Sequence, residues 1–398
     1  MSPRPPPPAP PGAAHVLIVD DLEVNRDLLA RRVQRLGHTI GFATTGREAL
    51  AAMRAGEYDL VLLDITMPDM DGYEALAQMK ADAGLAPIPV VMVTAIDAVD
   101  SVVRCLELGA EDYITKPFNP VLLRARIESS LNKKRVADLN ARLLQSLSRE
   151  MAIAQRIQSG FLPEALPSLP GWPIAASCQP ARHVGGDFFD ALLLPDGRLA
   201  FTVADVCDKG VGAALYMALI RSLVRISLQQ APAGEAAADM LERTVRFTND
   251  YIATVHGRDN MFATLFTAIL ALDSGRLDYI NAGHDAPMLW RSEGAAIEPL
   301  PPEGLAVGMM AGAPHRARST HLARGDRLLV YSDGLPEAVN ASGQPFGEQR
   351  VQALLAGCCS GPPALLAVIT AALAGHVGDS PPHDDVTLLC LQAEAGTD

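Results

Sequence analysis

Two sets of acidic residues stand out because each acid closes an apolar run. In the first set, Asp20 and Asp21 follow His15–Val19 (HVLIV), and Asp64 ends Asp59–Asp64 (DLVLLD). If those runs are adjacent strands, three carboxylates meet at one end of a sheet. Unpaired carboxylates repel, so such a trio calls for a hard cation such as Mg²⁺. A carboxylate beside that cation can act as a nucleophile on phosphorus. Thr94 offers a hydroxyl and Lys116 a fixed positive charge, both suited to a phosphoryl group. Each residue alone has an ordinary explanation: Asp20 suits a helix cap and Asp69–Gly72 a turn.

The second set lies further along, in Gly185–Asp190 (GGDFFD), Ala204–Gly210 (ADVCDKG), Tyr331–Gly334 (YSDG) and His383–Thr387 (HDDVT). Glycine beside an acid permits tight turns and close approach of backbone to a ligand. Carboxylates with a few backbone carbonyls suit Mg²⁺ or Mn²⁺, and a pair of such ions can lower the pKa of a shared water. His284, in Asn-Ala-Gly-His, has two readings: a general acid, or a structural histidine bonding across a hairpin, which is favoured. His183 and His383 are read the same way. Lys209 divides evenly between phosphate binding and an exposed loop position. Cys207 is expected to pack rather than attack, since no histidine partner is evident.

These residues need elements to position them. Strand signals at His15–Asp20, Asp59–Asp64, Ile88–Val93 and Asp112–Thr115 alternate with helical patterns at Glu23–Leu36, Arg47–Ala55, Tyr73–Asp82 and Val99–Leu108. That alternation predicts an α/β doubly wound parallel sheet with ligands at the carboxyl ends of its strands. From Asn119 to about Phe161 the pattern is one long helix. Its apolar residues Leu139, Leu143, Leu147, Met151, Ala154, Ile157 and Phe161 recur three or four apart, as in a dimeric coiled coil. After Pro163 paired strand signals flank Pro-Asp-Gly-Arg and Asp-Ser-Gly-Arg turns, with helices at Val211–Gln230 and Glu235–Val255. This predicts an α+β domain of antiparallel sheets covered by helices. The Pro/Gly-rich stretch Gly357–Asp384 is expected to hold loops around one helix.

The totals narrow the function. Acidic residues number 46 against 33 basic, a net charge of −13 in 398 residues. Such a chain is a poor partner for nucleic acid or an anionic membrane, and no helix-turn-helix or basic stripe is present. No apolar run of membrane-spanning length is evident. The six cysteines show no metal-ligand spacing and are expected to be reduced, in a cytoplasmic protein. Residues 1–13, rich in proline, are expected to form a disordered tail.

Leu17–Asp21 (LIVDD), Asp64–Gly72 (DITMPDMDG), Val93–Ala95 (VTA) and Lys116–Phe118 (KPF) together resemble the receiver domain of two-component response regulators. The resemblance implies a five-stranded parallel sheet over residues 14–122. It implies Asp64 as phosphoacceptor, Asp20, Asp21 and Asp64 as Mg²⁺ ligands, Thr94 and Lys116 as a switch pair, and Tyr113 as the switch aromatic. A cis Lys116–Pro117 bond and a sensor histidine kinase as phosphodonor are also implied.

The second set of motifs, with Glu150–Pro163 (EMAIAQRIQSGFLP), Gly210–Leu215 (GVGAAL), Phe262–Phe266 (FATLF), Asn281–Pro287 (NAGHDAP) and Leu305–Gly308 (LAVG), resembles metal-dependent protein phosphatases. The match is to the bacterial branch of the sporulation stage II E and stress-response type. That resemblance implies two Mn²⁺ or Mg²⁺ ions held by Asp187, Asp205, the Val206 carbonyl and Asp333. The fourth acid comes from Asp384 or Asp385, with Asp384 favoured because more distant phosphatases carry an amide at the neighbouring position. Asp190 is a further candidate, acting through water. The implied reaction is direct attack of water on phosphoserine or phosphothreonine of a protein, in this branch an anti-sigma-factor antagonist. Arg182 is a weak substitute for the arginine phosphate clamp of eukaryotic relatives. The expected organisation is the tail at 1–13, a receiver at 14–122, a helical linker and homodimer contact at 123–162, and a phosphatase domain at 163–394. A phosphatase-like scaffold without catalysis, binding a partner when Asp64 is phosphorylated, is the alternative reading.

Overall fold

The computed structural model describes residues 13–95, 99–232, 234–358 and 360–394. Residues 1–12 of the expected tail and Cys359 lie outside the described residues. The chain divides into two units between Leu147 and Ser148.

The first unit runs β1 (His15–Val19), α1 (Glu23–Arg35), β2 (Thr39–Ala43), α2 (Gly46–Ala55), β3 (Leu60–Asp64), α3 (Gly72–Ala81), β4 (Val90–Thr94), α4 (Val99–Glu107), β5 (Asp112–Thr115), and then α5 (Pro120–Ser159). The strands are parallel, in the order β2-β1-β3-β4-β5. The order reverses at β1, so the crevice at the carboxyl ends of β1 and β3 is where a ligand fits. β1, β3 and β4 are buried on both faces. Leu17, Val61 and Met92 join one core, and Val16, Leu60 and Val91 the other. Each such side chain contributes on the order of 1.5–3 kcal/mol. β2 was not expected from the apolar runs, because it is an edge strand with mostly half-exposed residues.

Thr45 caps α2 by accepting the Glu48 N–H, and Asp71 caps α3 by accepting the Glu74 N–H. These caps satisfy backbone donors that a helix start otherwise leaves open. Helix α5 corrects the expected boundary at residue 122. Its residues Leu123, Ile127 and Leu131 are buried in the core beside β1 and α1. The first turns of the long helix therefore belong to the receiver and are not linker. From Ala141 to Glu150 every residue of α5 is exposed, including Leu143, Leu144 and Leu147.

The second unit holds β6 (Ile174–Gln179), β7 (Phe188–Leu193), β8 (Leu199–Val206), α6 (Val211–Gln229), α7 (Ala237–Val255), β9 (Ala263–Leu270), β10 (Arg276–Ala282), β11 (Met288–Trp290), β12 (Ile297–Pro299), β13 (Arg318–His321), β14 (Arg327–Tyr331), α8 (Glu348–Gly357), α9 (Pro362–Val377) and β15 (Val386–Gln392). Its strands form two antiparallel sheets, β13-β10-β9-β8-β7 and β12-β11-β14-β15-β6. The two-residue period of the strands sorts the core into layers. Phe201 and Val203 of β8 meet Leu328 and Val330 of β14 and Leu389 of β15 between the sheets. Ala200 and Ala204 face α6 and α7 instead, and Leu329 and Leu388 face α8 and α9. The result is a helix–sheet–sheet–helix sandwich.

The Pro/Gly-rich stretch holds one helix between loops, as expected: α9 has 16 residues, with Gly361 as N-cap and Pro362 in the first turn, where a missing N–H costs nothing. Helix α6 is long and apolar enough to cross a membrane by length and composition. Its Met217, Ile220, Val224 and Leu228 are instead packed in the core against Leu241 and Val245 of α7.

Candidate functional site

At the carboxyl ends of β1 and β3, one oxygen from each of Asp20, Asp21 and Asp64 falls within 4.8 Å of the others. Asp20 and Asp64 are buried and Asp21 is exposed. Lys116 spans the pair, with Nζ 2.8 Å from Asp20 Oδ2 and 3.0 Å from Asp64 Oδ1. Asp20 also accepts the Leu22 N–H and both its oxygens accept from the Asn25 amide, at 2.9 to 3.0 Å. Burial pushes the Asp64 carboxyl up, against the pull of Lys116. Burial works against the Lys116 charge, but its bonds to Asp20 and Asp64 outweigh that and hold its pKa high. Thr94 is buried at the end of β4, and its carbonyl accepts the Lys116 N–H at 2.7 Å. The Lys116–Pro117 bond is cis. Tyr113 is half-buried against the core on the α2–α3 side. Gly72 passes so close to the Asp64 carbonyl that an added Cβ would overlap it. Three oxygen donors with one balancing lysine fit a single divalent cation.

In the second unit, Asp187 lies just before β7, Asp205 at the end of β8, Asp333 just after β14 and Asp384 just before β15. The two sheets thus bring acids from distant parts of the chain to one end of the sandwich. Burial pushes the Asp187 carboxyl well up, and the Asp205 charge adds to it. Asp205 is pushed up to about 7, first by burial and then by the Asp333 charge. Burial and the Asp384 charge also raise Asp333. Among the described residues no basic side chain pairs with Asp187, Asp205 or Asp333. Asp384 alone of the four has one, the Lys209 ammonium at 2.8 Å. Lys209 also donates to the His383 carbonyl at 2.7 Å, so it belongs to the site rather than to an open loop.

Other residues hold these acids in place. The Ser332 hydroxyl donates to Asp187 Oδ2 at 2.6 Å and accepts the Thr387 N–H at 2.9 Å. Asp385 is buried and accepts the N–H groups of Ala181 and Gly186 at 2.7 and 2.8 Å. Both acids of the pair stand close to the others: the Asp385 charge acts on Asp187 and Asp205, and the Asp384 charge on Asp205 and Asp333. A Cβ on Gly186 would lie 2.5 Å from the Val206 carbonyl oxygen, and Cβ atoms on Gly185 and Gly334 would overlap Asp385. Only glycine permits this close gathering of loops. Carboxylates that are buried or half-buried and raise one another's pKa fit hard divalent cations.

Three candidates land elsewhere. Asp190 is buried against α6, with Arg225 at 2.6 Å and Arg221 at 3.1 Å, so its charge is spent on holding a helix. His284 is buried and its pKa is lowered to about 4 by that burial. Its Nδ1 bonds Thr264 across the β9–β10 hairpin at 2.9 Å and its N–H donates to Asn281, which is the structural reading. Cys207 Sγ accepts the Phe262 N–H at 3.2 Å and its thiol is pushed up by burial, so it is not a nucleophile. Arg182, His183 and His383 are exposed.

Sequence reasoning passed over Asn25, Ser332 and Gln158. Asn25 sits one helical turn beyond Asp20, and Ser332 lies inside the Tyr-Ser-Asp-Gly motif. Gln158, near the end of α5, is the most telling. Its amide donates to the Gly185 carbonyl at 2.5 Å and accepts the Gly185 N–H at 3.2 Å. A helix end thereby grips the loop that carries Asp187.

Comparison with known proteins bears on both units. The response regulator receiver domain model matches residues 16–128. The stage II sporulation protein E (SpoIIE) model matches residues 195–394, half of the chain. The chain belongs to the SpoIIE family. The match of this SpoIIE-family chain runs from β8 through β15, so it contains Asp205, Asp333 and Asp384, while Asp187 and Gln158 precede it. Protein IcfG of Synechocystis sp. is 39% identical over 261 residues, covering 61% of this chain and 41% of IcfG. The probable transcriptional regulator ycf27 of Cyanidium caldarium is 41% identical over 129 residues, covering 32% of this chain and 50% of that protein. The SpoIIE-family chain thus spans half or less of the length of these curated relatives. The SiaA-PP2C domain of Pseudomonas aeruginosa has the same fold, with a TM-score of 0.53 at 21% identity, over 63% of this chain and 98% of that one.

Proposed function

We propose that this chain is a response regulator in which an acyl phosphate on Asp64 controls hydrolysis of a phosphoserine or phosphothreonine ester on a protein. The observation that carries the reading is the convergence of Asp187, Asp205, Asp333 and Asp384 from four separate chain segments, the first buried and the others half-buried, with no ion-pair partner on the first three among the described residues. Two bound Mn²⁺ or Mg²⁺ ions would supply Lewis acidity and a water of low pKa. The four acids and the Val206 carbonyl hold them. Ser332 orients Asp187, and Asp385 fixes the Gly185–Gly186 loop. Lys209 draws the Asp384 segment into the site and sits where it can meet a substrate phosphate.

In the receiver, Asp64 is the acceptor. Asp20, Asp21 and Asp64 bind Mg²⁺, and Thr94, Lys116 and Tyr113 read the phosphoryl group. A sensor histidine kinase is the phosphodonor. By resemblance to the stress-response phosphatases, the substrate is a phosphorylated anti-sigma-factor antagonist, in the cytoplasm. The receiver reaches through the first turns of α5, and the exposed Leu139, Leu143, Leu147 and Ile157 of that helix form a homodimer contact. Because Gln158 grips Gly185, a shift of the helix end moves the Asp187 loop and so sets activity.

The test is Mn²⁺-dependent hydrolysis of p-nitrophenyl phosphate by the full chain, with and without acetyl phosphate. Asp333→Ala should abolish it and Asp64→Ala should remove the response to acetyl phosphate. Absence of metal-dependent hydrolysis in either state would favour the scaffold reading. One residue inserted into the exposed stretch of α5 should uncouple the two responses, and unchanged regulation would sink the helix route.

A further inference from the structure

Helix α9 buries Leu365, Leu366 and Ile369 against the second sheet. Thr370, Ala374 and Val377 follow one another at helical spacing on an adjoining face. That face is one wall of a groove of about 390 Å³. Ala338 and Val339, in the chain leaving Asp333, line it as well. The groove reaches Gly334, His383 and Asp384, so one end of it meets the acid cluster at Asp384 and at the residue after Asp333. Apart from Asp384 it is lined by no carboxylate, lysine or arginine.

We propose that this groove docks the residues flanking the phosphorylated serine of the substrate protein, and that those residues are apolar. The proposal rests on the phosphatase reading above and names its substrate class more closely. A phosphate drawn to cations that Asp333 and Asp384 would hold leaves its own chain to run over the surface beside them. The groove begins at Asp384 and its walls come from the segments that supply both acids. Acidic flanks would find no lysine or arginine in the groove to pair with, whereas apolar flanks gain by covering Ala374, Val377 and Val339. Continuity with the acid cluster singles out the substrate chain, rather than a second copy of the protein, as the occupant.

The test uses two peptides bearing a non-hydrolysable phosphonate in place of the phosphoserine ester, one with leucine and one with glutamate on both sides. Binding to the full chain in Mn²⁺ is read by fluorescence anisotropy. The leucine peptide should bind about tenfold tighter or more. Ala374→Trp, at an exposed helix position that fills the groove, should bring the two within about twofold. Val368→Trp, exposed on α9 outside the groove, should leave the preference intact. Equal or absent binding by the wild type, a preference kept by Ala374→Trp, or a preference lost by Val368→Trp would overturn the proposal. So would a change in sedimentation on Ala374→Trp with the peptide preference unaltered, since a second copy would then fill the groove. Hydrolysis of p-nitrophenyl phosphate, measured in parallel, judges the phosphatase reading separately: its absence with the peptide preference intact strikes catalysis and leaves the docking assignment.

Discussion

The two units solve the same problem in opposite ways. Each gathers carboxylates at strand ends, where the fold leaves a crevice. In the first, Lys116 lies within 3.0 Å of both buried acids and Asn25 bonds one of them. One of its three carboxylate charges is balanced before any cation arrives. In the second, Asp187 and Asp205 are held by a hydroxyl and by the fold itself, and the nearest ammonium belongs to Asp384. That site stores repulsion which a bound cation, or a proton taken up in its place, relieves. A receiver must switch on a transient phosphoryl group, so an internal cation suits it. A hydrolytic site gains from acids that stay available to bound metal.

The sharpest way to break this contrast is Asp205→Asn. It should lower Mn²⁺-dependent p-nitrophenyl phosphate hydrolysis by about 100-fold or more, yet raise the melting temperature in EDTA. Asp20→Asn in the receiver should bring no such gain, since it removes a partner of Lys116. A lower melting temperature for Asp205→Asn in EDTA would contradict the stored repulsion. Next in size, Asp190→Asn should cost about 3 kcal/mol in urea unfolding, because Arg221 and Arg225 lose their buried charged partner. Its stabilisation by Mn²⁺ should persist, whereas a true metal ligand would lose it.

Gln158→Ala should reduce hydrolysis about tenfold, as loss of a group that orients a ligand loop, with the rate of Asp64 phosphorylation unchanged. A smaller effect concerns pH. Asp205 is raised from 3.8 to about 7, so in EDTA the folded state holds a proton that the unfolded chain has released. Stability of the second unit should therefore fall as pH rises from about 4 through about 7, and saturating Mn²⁺ should flatten the melting curve against pH. Smallest is His284→Asn. Its pKa is lowered from 6.5 to about 4, so it is neutral at working pH and its contribution to stability is lost only as pH falls below about 6.5. Hydrolysis should change less than about threefold, and the pH–rate profile should keep its shape. A lost limb in that profile would restore a general-acid role.

Much of this was legible in the sequence because strands buried on both faces write unbroken apolar runs. β1, β3 and β4 do so, and the acids at their ends follow directly. β2 has no such run, since an edge strand buries little. β6, β11 and β13 were missed for similar reasons: they are short or half-exposed, and their place is set by partners far along the chain. The acids of the second site could be picked out as motifs, but their commitments could not. Asp190 reads like its neighbour Asp187 until α6 is folded over it. Asp384 and Asp385 differ only in which way the loop turns them, and that depends on amides some 200 residues upstream. The receiver boundary was misplaced because one continuous helix serves the core at one end and solvent further on. Nothing in its local pattern marks the change.

One feature of the second sheet bears on the birth of the protein. β15 is the final strand described, yet it lies between β14 and β6, and the following of Asp384 by Asp385 ties it to Ala181 and Gly186. On a growing chain the gap between β14 and β6 stays open until that strand leaves the ribosome. The receiver fold, complete in the first third of the sequence, is free to form long before. Translation itself therefore finishes the first sheet well ahead of the last.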